Sequence, residues 1–142
     1  MNDYDADILE WSEHQSKLLR HLARGERLPA NDTPDWPNII DEVESVGRDQ
    51  LHSVEGLLAQ ALSHLLKCEA WPQSGEVPIW RAESRRFRDE AADRFAPSMR
   101  QRIDVAKLYR RALRYLPETI DGLPPLPVAD TCPMTLDELL RE

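Results

Sequence analysis

Apolar positions recur at intervals of three and four along almost the whole chain, and no stretch alternates apolar with polar residues long enough for a half-buried strand. The pattern predicts an all-α fold: a helical bundle of four main helices, with one long central helix, a Pro-rich extended segment and a short C-terminal helix. A first helix, over about residues 5–24, sets Tyr4, Ile8, Trp11, Leu18 and Leu22 in one stripe and stops near Gly25 and Pro29. Residues 29–37 hold three prolines and three Asp or Asn, which suit turns and a helix start. From Trp36 to Glu69 the apolar set Ile39, Ile40, Val43, Val46, Val54, Leu57, Leu58, Ala61 and Leu65 keeps helical period. A continuous helix there would reach ~50 Å, so either the fold is elongated or the helix breaks, with Gly56 on its outer face as the place for a break. Gly47 lies inside the stripe, where a missing side chain suits the close approach of another helix.

A third helix opens near Pro78 with Trp80, Ser84, Phe87, Ala91 and Phe95 on one face, and Pro97 is expected to start the fourth, which Pro117 ends. Met99, Ile103, Ala106, Tyr109, Leu113 and Leu116 line that fourth helix. Five of the eleven prolines fall between residues 117 and 133 without periodicity, so 117–134 reads as a strap extended over the bundle. Thr135 and Glu138 have capping-box spacing before Leu139 and Leu140, which predicts a short terminal helix. The whole of 1–142 is expected to form a single helical domain.

Composition narrows the class further. A chain of 142 residues with 41% hydrophobic and 31% charged residues is long enough for one ordinary core without disulfides or metals, and its apolar runs are far too short for a membrane span. The acidic start, Met1-Asn2-Asp3-Tyr4-Asp5, is the opposite of a secretory leader, which points to the cytoplasm. Cys68 and Cys132 stand far apart with no Cys-x-x-Cys spacing, as two unpaired thiols would.

The net charge of −8 is unevenly spread. Residues 1–78 carry −9, residues 79–116 carry +6 and residues 117–142 carry −5. On the fourth helix Arg100, Lys107, Arg110, Arg111 and Arg114 share the face away from the apolar stripe, and Arg81, Arg85 and Arg88 do so on the third. Such a surface suits phosphate or carboxylate groups of a partner. The acidic first helix and tail offer an internal alternative.

The chemistry-bearing residues form no strong motif. Helix-borne metal pairs need ligands three or four residues apart, as in His-Glu-x-x-His or Glu-x-x-His. Glu10 with His14, and Asp49, His52 and Glu55, come nearest and read as solvated faces, so no metal and no cofactor is expected. No Gly-x-Ser-x-Gly turn and no Gly-rich phosphate loop is present. Gln50, Arg102 and Glu44 sit at or near helix seams, where burial would require partners, and they read as ties between helices.

The segments Glu42-Val43-Glu44-Ser45-Val46-Gly47-Arg48 and His64-Leu65-Leu66-Lys67, then Trp80, Tyr109 with Ala112, and Cys132-Pro133, follow one another in an order that resembles the domain of unknown function 29 family of bacterial proteins. The resemblance spans nearly the whole chain. It implies a helical bundle and carries over Glu42, Glu44, Gly47, Arg48, His64, Lys67 and Trp80, but no activity. Two departures stand out: Met134 follows Cys-Pro where the family commonly has an aromatic, and Ser84-Arg85 stands where a Gln-Arg pair is usual.

The expected function is a small non-catalytic protein-interaction module, using the basic third and fourth helices or the strap against another protein. Its candidate binding residues are Glu42, Glu44, Arg48, His64, Lys67, Arg85, Arg88, Arg110, Arg111 and Arg114. The alternatives are a bundle enzyme or small-ligand binder with a polar site near Glu44 and Arg48, and a nucleic-acid-associated protein using the basic face. No membrane partner is expected, and the sequence leaves the oligomeric state open.

Overall fold

Helix boundaries fall where a side chain accepts the first free N–H groups or where the backbone cannot continue. In the computed structural model, which describes residues 4–141, Asp7 caps α1 (Ile8–Ala23) by accepting from the Glu10 N–H, and the chain leaves this helix through Gly25 at φ +74°. Helix α2 (Trp36–Ala70) is 35 residues long, α3 (Val77–Arg94) has a proline in its first turn, and α4 (Val105–Arg114) is capped by Asp104. The short α5 (Leu136–Leu140) forms the expected capping box between Thr135 and Glu138. The fold is all-α, and no described helix is long and apolar enough to cross a membrane.

The chain divides into two compact units between Arg48 and Asp49. The first holds α1 and the start of α2. Trp11 and Leu18 are its buried apolar anchors, and the Gln15 side chain accepts from the Asp35 N–H at 2.7 Å. The Asp35 carboxylate takes the Trp11 indole N–H at 2.9 Å and the Asn38 amide at 2.7 Å. These bonds, Asn38 foremost, hold the Asp35 carboxyl below its ordinary range and fix the connection between the two helices.

In the second unit Val54, Leu58, Leu62 and Leu66 of α2 meet Ala91 of α3, Leu108, Tyr109 and Ala112 of α4, and Leu139 of α5. Leu139 is fully buried, which contributes about 1.5–3 kcal/mol from a five-residue helix. A smaller cluster joins Ala70, Trp71, Val77 and Trp80. Residues 117–134 form no helix. They are tied down by polar groups: the Leu126 N–H donates to Ala70, the Trp71 indole N–H to the Leu123 carbonyl, and the Tyr109 hydroxyl to the Ala129 carbonyl at 2.6 Å.

Of the two possibilities for α2 the continuous helix is the one formed, and three other sequence expectations need correction. Helix α2 runs unbroken through Gly56, because the ~1 kcal/mol propensity penalty of one glycine is smaller than the burial of Val54, Leu58 and Ala61 around it. Helix α4 begins at Val105, not Pro97. Pro97–Met99 is a single 3₁₀ turn whose Met99, with Ile103 after it, anchors in the core, and Asp104 supplies a better cap. Gly47 admits no close neighbour: a Cβ placed there would meet nothing within 4 Å. Gln50, Arg102 and Glu44 are all exposed, so none is a buried tie, and Arg102 precedes α4 altogether.

Candidate functional site

Unit one displays its apolar residues more than it buries them. Of the eleven large apolar side chains exposed among the described residues, seven lie at or before Val46. Ile40, Val43 and Val46 recur at three-residue spacing on α2, with Val43 69% and Val46 65% exposed, and Ile8 and Leu9 add to the display from α1. Beside Val43 an open groove of about 430 Å³ is floored by Trp11, Gln15, Leu19, Ala23 and Ile39. Two helices meeting along one seam bury little, and a 48-residue hairpin has too small a core to hide both faces. The sequence stripe marked these residues as apolar, but periodicity does not say what covers them.

The carried-over Glu-x-Glu-Ser-x-Gly-Arg segment borders this surface. Glu42 lines the groove and accepts a hydrogen bond from the Tyr4 hydroxyl, whose ring packs edge-on to Trp11 at 4.8 Å. That hydrogen bond to Glu42 pushes the Tyr4 hydroxyl up to about 12. Glu44 is exposed. Arg48 lies 3.7 Å from Asp41, two turns earlier on α2, rather than beside Glu44.

Unit two uses several of its cations internally. Arg88 donates to the carbonyls of Glu138, Leu139 and Arg141 at 2.8–2.9 Å, closing the C-terminal end of α5. Arg86 bridges Glu83 and Glu90 along α3, and Arg100 pairs with Asp137. The tail thus meets part of the basic surface, as the internal alternative anticipated. Arg85, Lys107, Arg110, Arg111 and Arg114 remain exposed.

In the His-Leu-Leu-Lys segment, Lys67 is half-buried and His64 stacks on Phe87 with centroids 5.7 Å apart and rings 8° from parallel. The His64 Nδ1 is buried without a hydrogen-bond partner among the described residues. Burial first, then the Lys67 charge, lowers the His64 pKa; Glu83 opposes this and Arg86 adds to it more weakly. Among the described residues no group of three or more His, Cys, Asp or Glu is placed to hold a metal ion. His14 instead faces Asp32 at 2.8 Å, His21 pairs with Glu26, and His52 is exposed.

One half-open pocket in unit two was not legible in the sequence. Leu62, Leu65 and Leu66 of α2 line this space of about 300 Å³ together with Tyr109, Pro133 and Met134, and Glu69 and Arg81 line it as well. The Cys68 thiol beside them is pushed up by burial and pulled back by the Arg81 guanidinium, and Cys132 is likewise pushed up by burial; both cysteines are unpaired.

Comparison with known proteins agrees with this architecture. The family described as "Domain of unknown function DUF29" matches residues 4–142. A crystal structure of an alpha-helical protein of unknown function from Rhodospirillum rubrum is similar at 28% identity and a TM-score of 0.69, covering 98% of this chain and 89% of that one. No curated protein matches.

Proposed function

As the chain belongs to the DUF29 family, whose description assigns no activity, we propose from the geometry that it is a protein-interaction module that docks another protein through unit one. The observation that supports this is the row Ile40, Val43 and Val46, exposed beside an apolar groove. Single exposed apolar residues are ordinary, whereas a contiguous display at helical spacing suits a partner helix laid into the groove. The residues up to Arg48 include eleven acidic and five basic side chains. The complementary partner is therefore an amphipathic helix with Lys or Arg flanking its apolar face. The basic face and the strap, the surfaces first expected, fit this role less well: Arg86, Arg88 and Arg100 are engaged internally, and the strap is held by Trp71 and Tyr109.

The test compares the tagged chain with a Val43→Glu/Val46→Glu double variant in quantitative capture from the native host. Both sites are largely exposed, so the variant should keep its helical content and melting temperature. A basic-flanked helical protein retained by the wild type and lost from the variant is the expected result. Capture of the same proteins by both, or of none by the wild type, would refute the reading.

A further inference from the structure

The cavity of unit two combines an apolar interior with one charge of each sign at its edge. Leu62 and Leu66 are 2% exposed and form the floor, and Leu65 and Met134 complete the wall. Glu69 and Arg81 both line the space and are both exposed, yet they form no ion pair with each other or with any other described residue. Glu69 is the next-to-last residue of α2 and Arg81 stands one turn into α3, so the two helices bring one charge each to the same opening. Glu69 lines this opening together with Cys68 and Tyr109, and Arg81 lines it from α3.

An anion alone would meet Arg81 but be repelled by Glu69, and a cation alone the reverse. A small molecule carrying both charges next to each other satisfies both, and an apolar tail on it would replace solvent against the leucines. A volume near 300 Å³ is at the lower end for small-molecule sites, which restricts the ligand to a compact one. We propose that this cavity binds an apolar α-amino acid as its zwitterion, with the carboxylate on Arg81, the ammonium on Glu69 and the side chain between Leu62, Leu66 and Met134. The site lies in unit two and does not rest on the docking surface of unit one.

The probes are L-leucine, 4-methylpentanoate and 3-methylbutylamine, which share a branched carbon chain and differ in their charged groups. Calorimetric titration of the full chain should give saturable leucine binding with a Kd on the order of 1 mM, and the acid and the amine should each bind at least about tenfold more weakly. Arg81→Gln and Glu69→Gln, both at exposed positions, should each weaken leucine about tenfold or more while circular dichroism and melting temperature stay as in the wild type. Met134→Phe places a larger side chain against the cavity and should abolish binding. No saturable leucine binding overturns the proposal. So does equal binding of the three probes, or leucine binding unchanged in Arg81→Gln, Glu69→Gln and Met134→Phe. A Met134→Phe chain that fails to fold leaves the two charge variants to decide.

Discussion

The His64 ring lies flat against Phe87, over which the Arg86 guanidinium is also placed at 4.6 Å, and the buried Nδ1 has no hydrogen-bond partner among the described residues. Protonation would put a cation beside Lys67 and Arg86 with only Glu83 to oppose them. The folded chain therefore binds that proton less readily than the unfolded chain. Stability is unaffected by His64 above the unfolded value of about 6.5 and falls as the pH drops through it toward the lower folded value. His64→Phe keeps the stack and removes the unpaired nitrogen. Urea titration at pH 7 should find the variant about 1 kcal/mol more stable, and between pH 7 and 5 it should lose less stability than the wild type. An identical pH dependence in the two proteins would show that His64 is not the group. The His-Leu-Leu-Lys segment drew attention to this residue from sequence. Its stacking partner depends on how α2 packs on α3, which residue spacing does not contain. The same limit explains Arg88: as a cation on the outer face of α3 it was legible, but its attachment to α5 is a contact fifty residues away in the chain.

Elements were more legible than contacts. Four main helices, the non-helical run 117–134 and the capped terminal turn follow from period, prolines and the Thr-x-x-Glu spacing, all of which act within a few residues. Helix α2 shows where such reasoning fails. Propensity left open a break at Gly56 and the stripe suggested packing at Gly47, but α2 is continuous and both glycines have open space where a Cβ would stand. Neither has a positive φ, so alanine fits both without strain. Gly47→Ala and Gly56→Ala should each stabilise the helix they occupy by up to about 1 kcal/mol, read as a raised urea midpoint with an unchanged slope. A loss of stability at Gly47 would instead reveal the close helix approach that its place in the stripe suggested. The exposed row Ile40, Val43 and Val46 fails to register for a related reason: helical period shows that a face is apolar and is silent on whether anything packs there.

For the molecule as a whole, the decisive quantity is how much positive charge is left over. Residues 79–116 carry eleven cations, a density that invites a nucleic-acid reading. Four of them are engaged, Arg86 with Glu83 and Glu90, Arg88 with the α5 carbonyls, Arg94 with Ser53 and Arg100 with Asp137, and Arg81 stands at the edge of the pocket of unit two beside Glu69. Arg85, Arg102, Lys107, Arg110, Arg111 and Arg114 remain, enough to neutralise about six phosphates at most. Six contacts give a slope of about −5 in log affinity against log salt, so any affinity drops on the order of a thousandfold between 50 and 200 mM. The chain's net charge of −8 works against even that binding. A fluorescently labelled duplex or single-stranded oligonucleotide should therefore show no retention near 150 mM salt, with only weak, non-saturating anisotropy changes at low salt. Saturable micromolar binding at 150 mM, lost on replacing Arg110, Arg111 and Arg114 with Gln, would mean that nucleic acid recruits the fourth helix despite the surrounding acids. It would also move the partner surface from unit one to unit two.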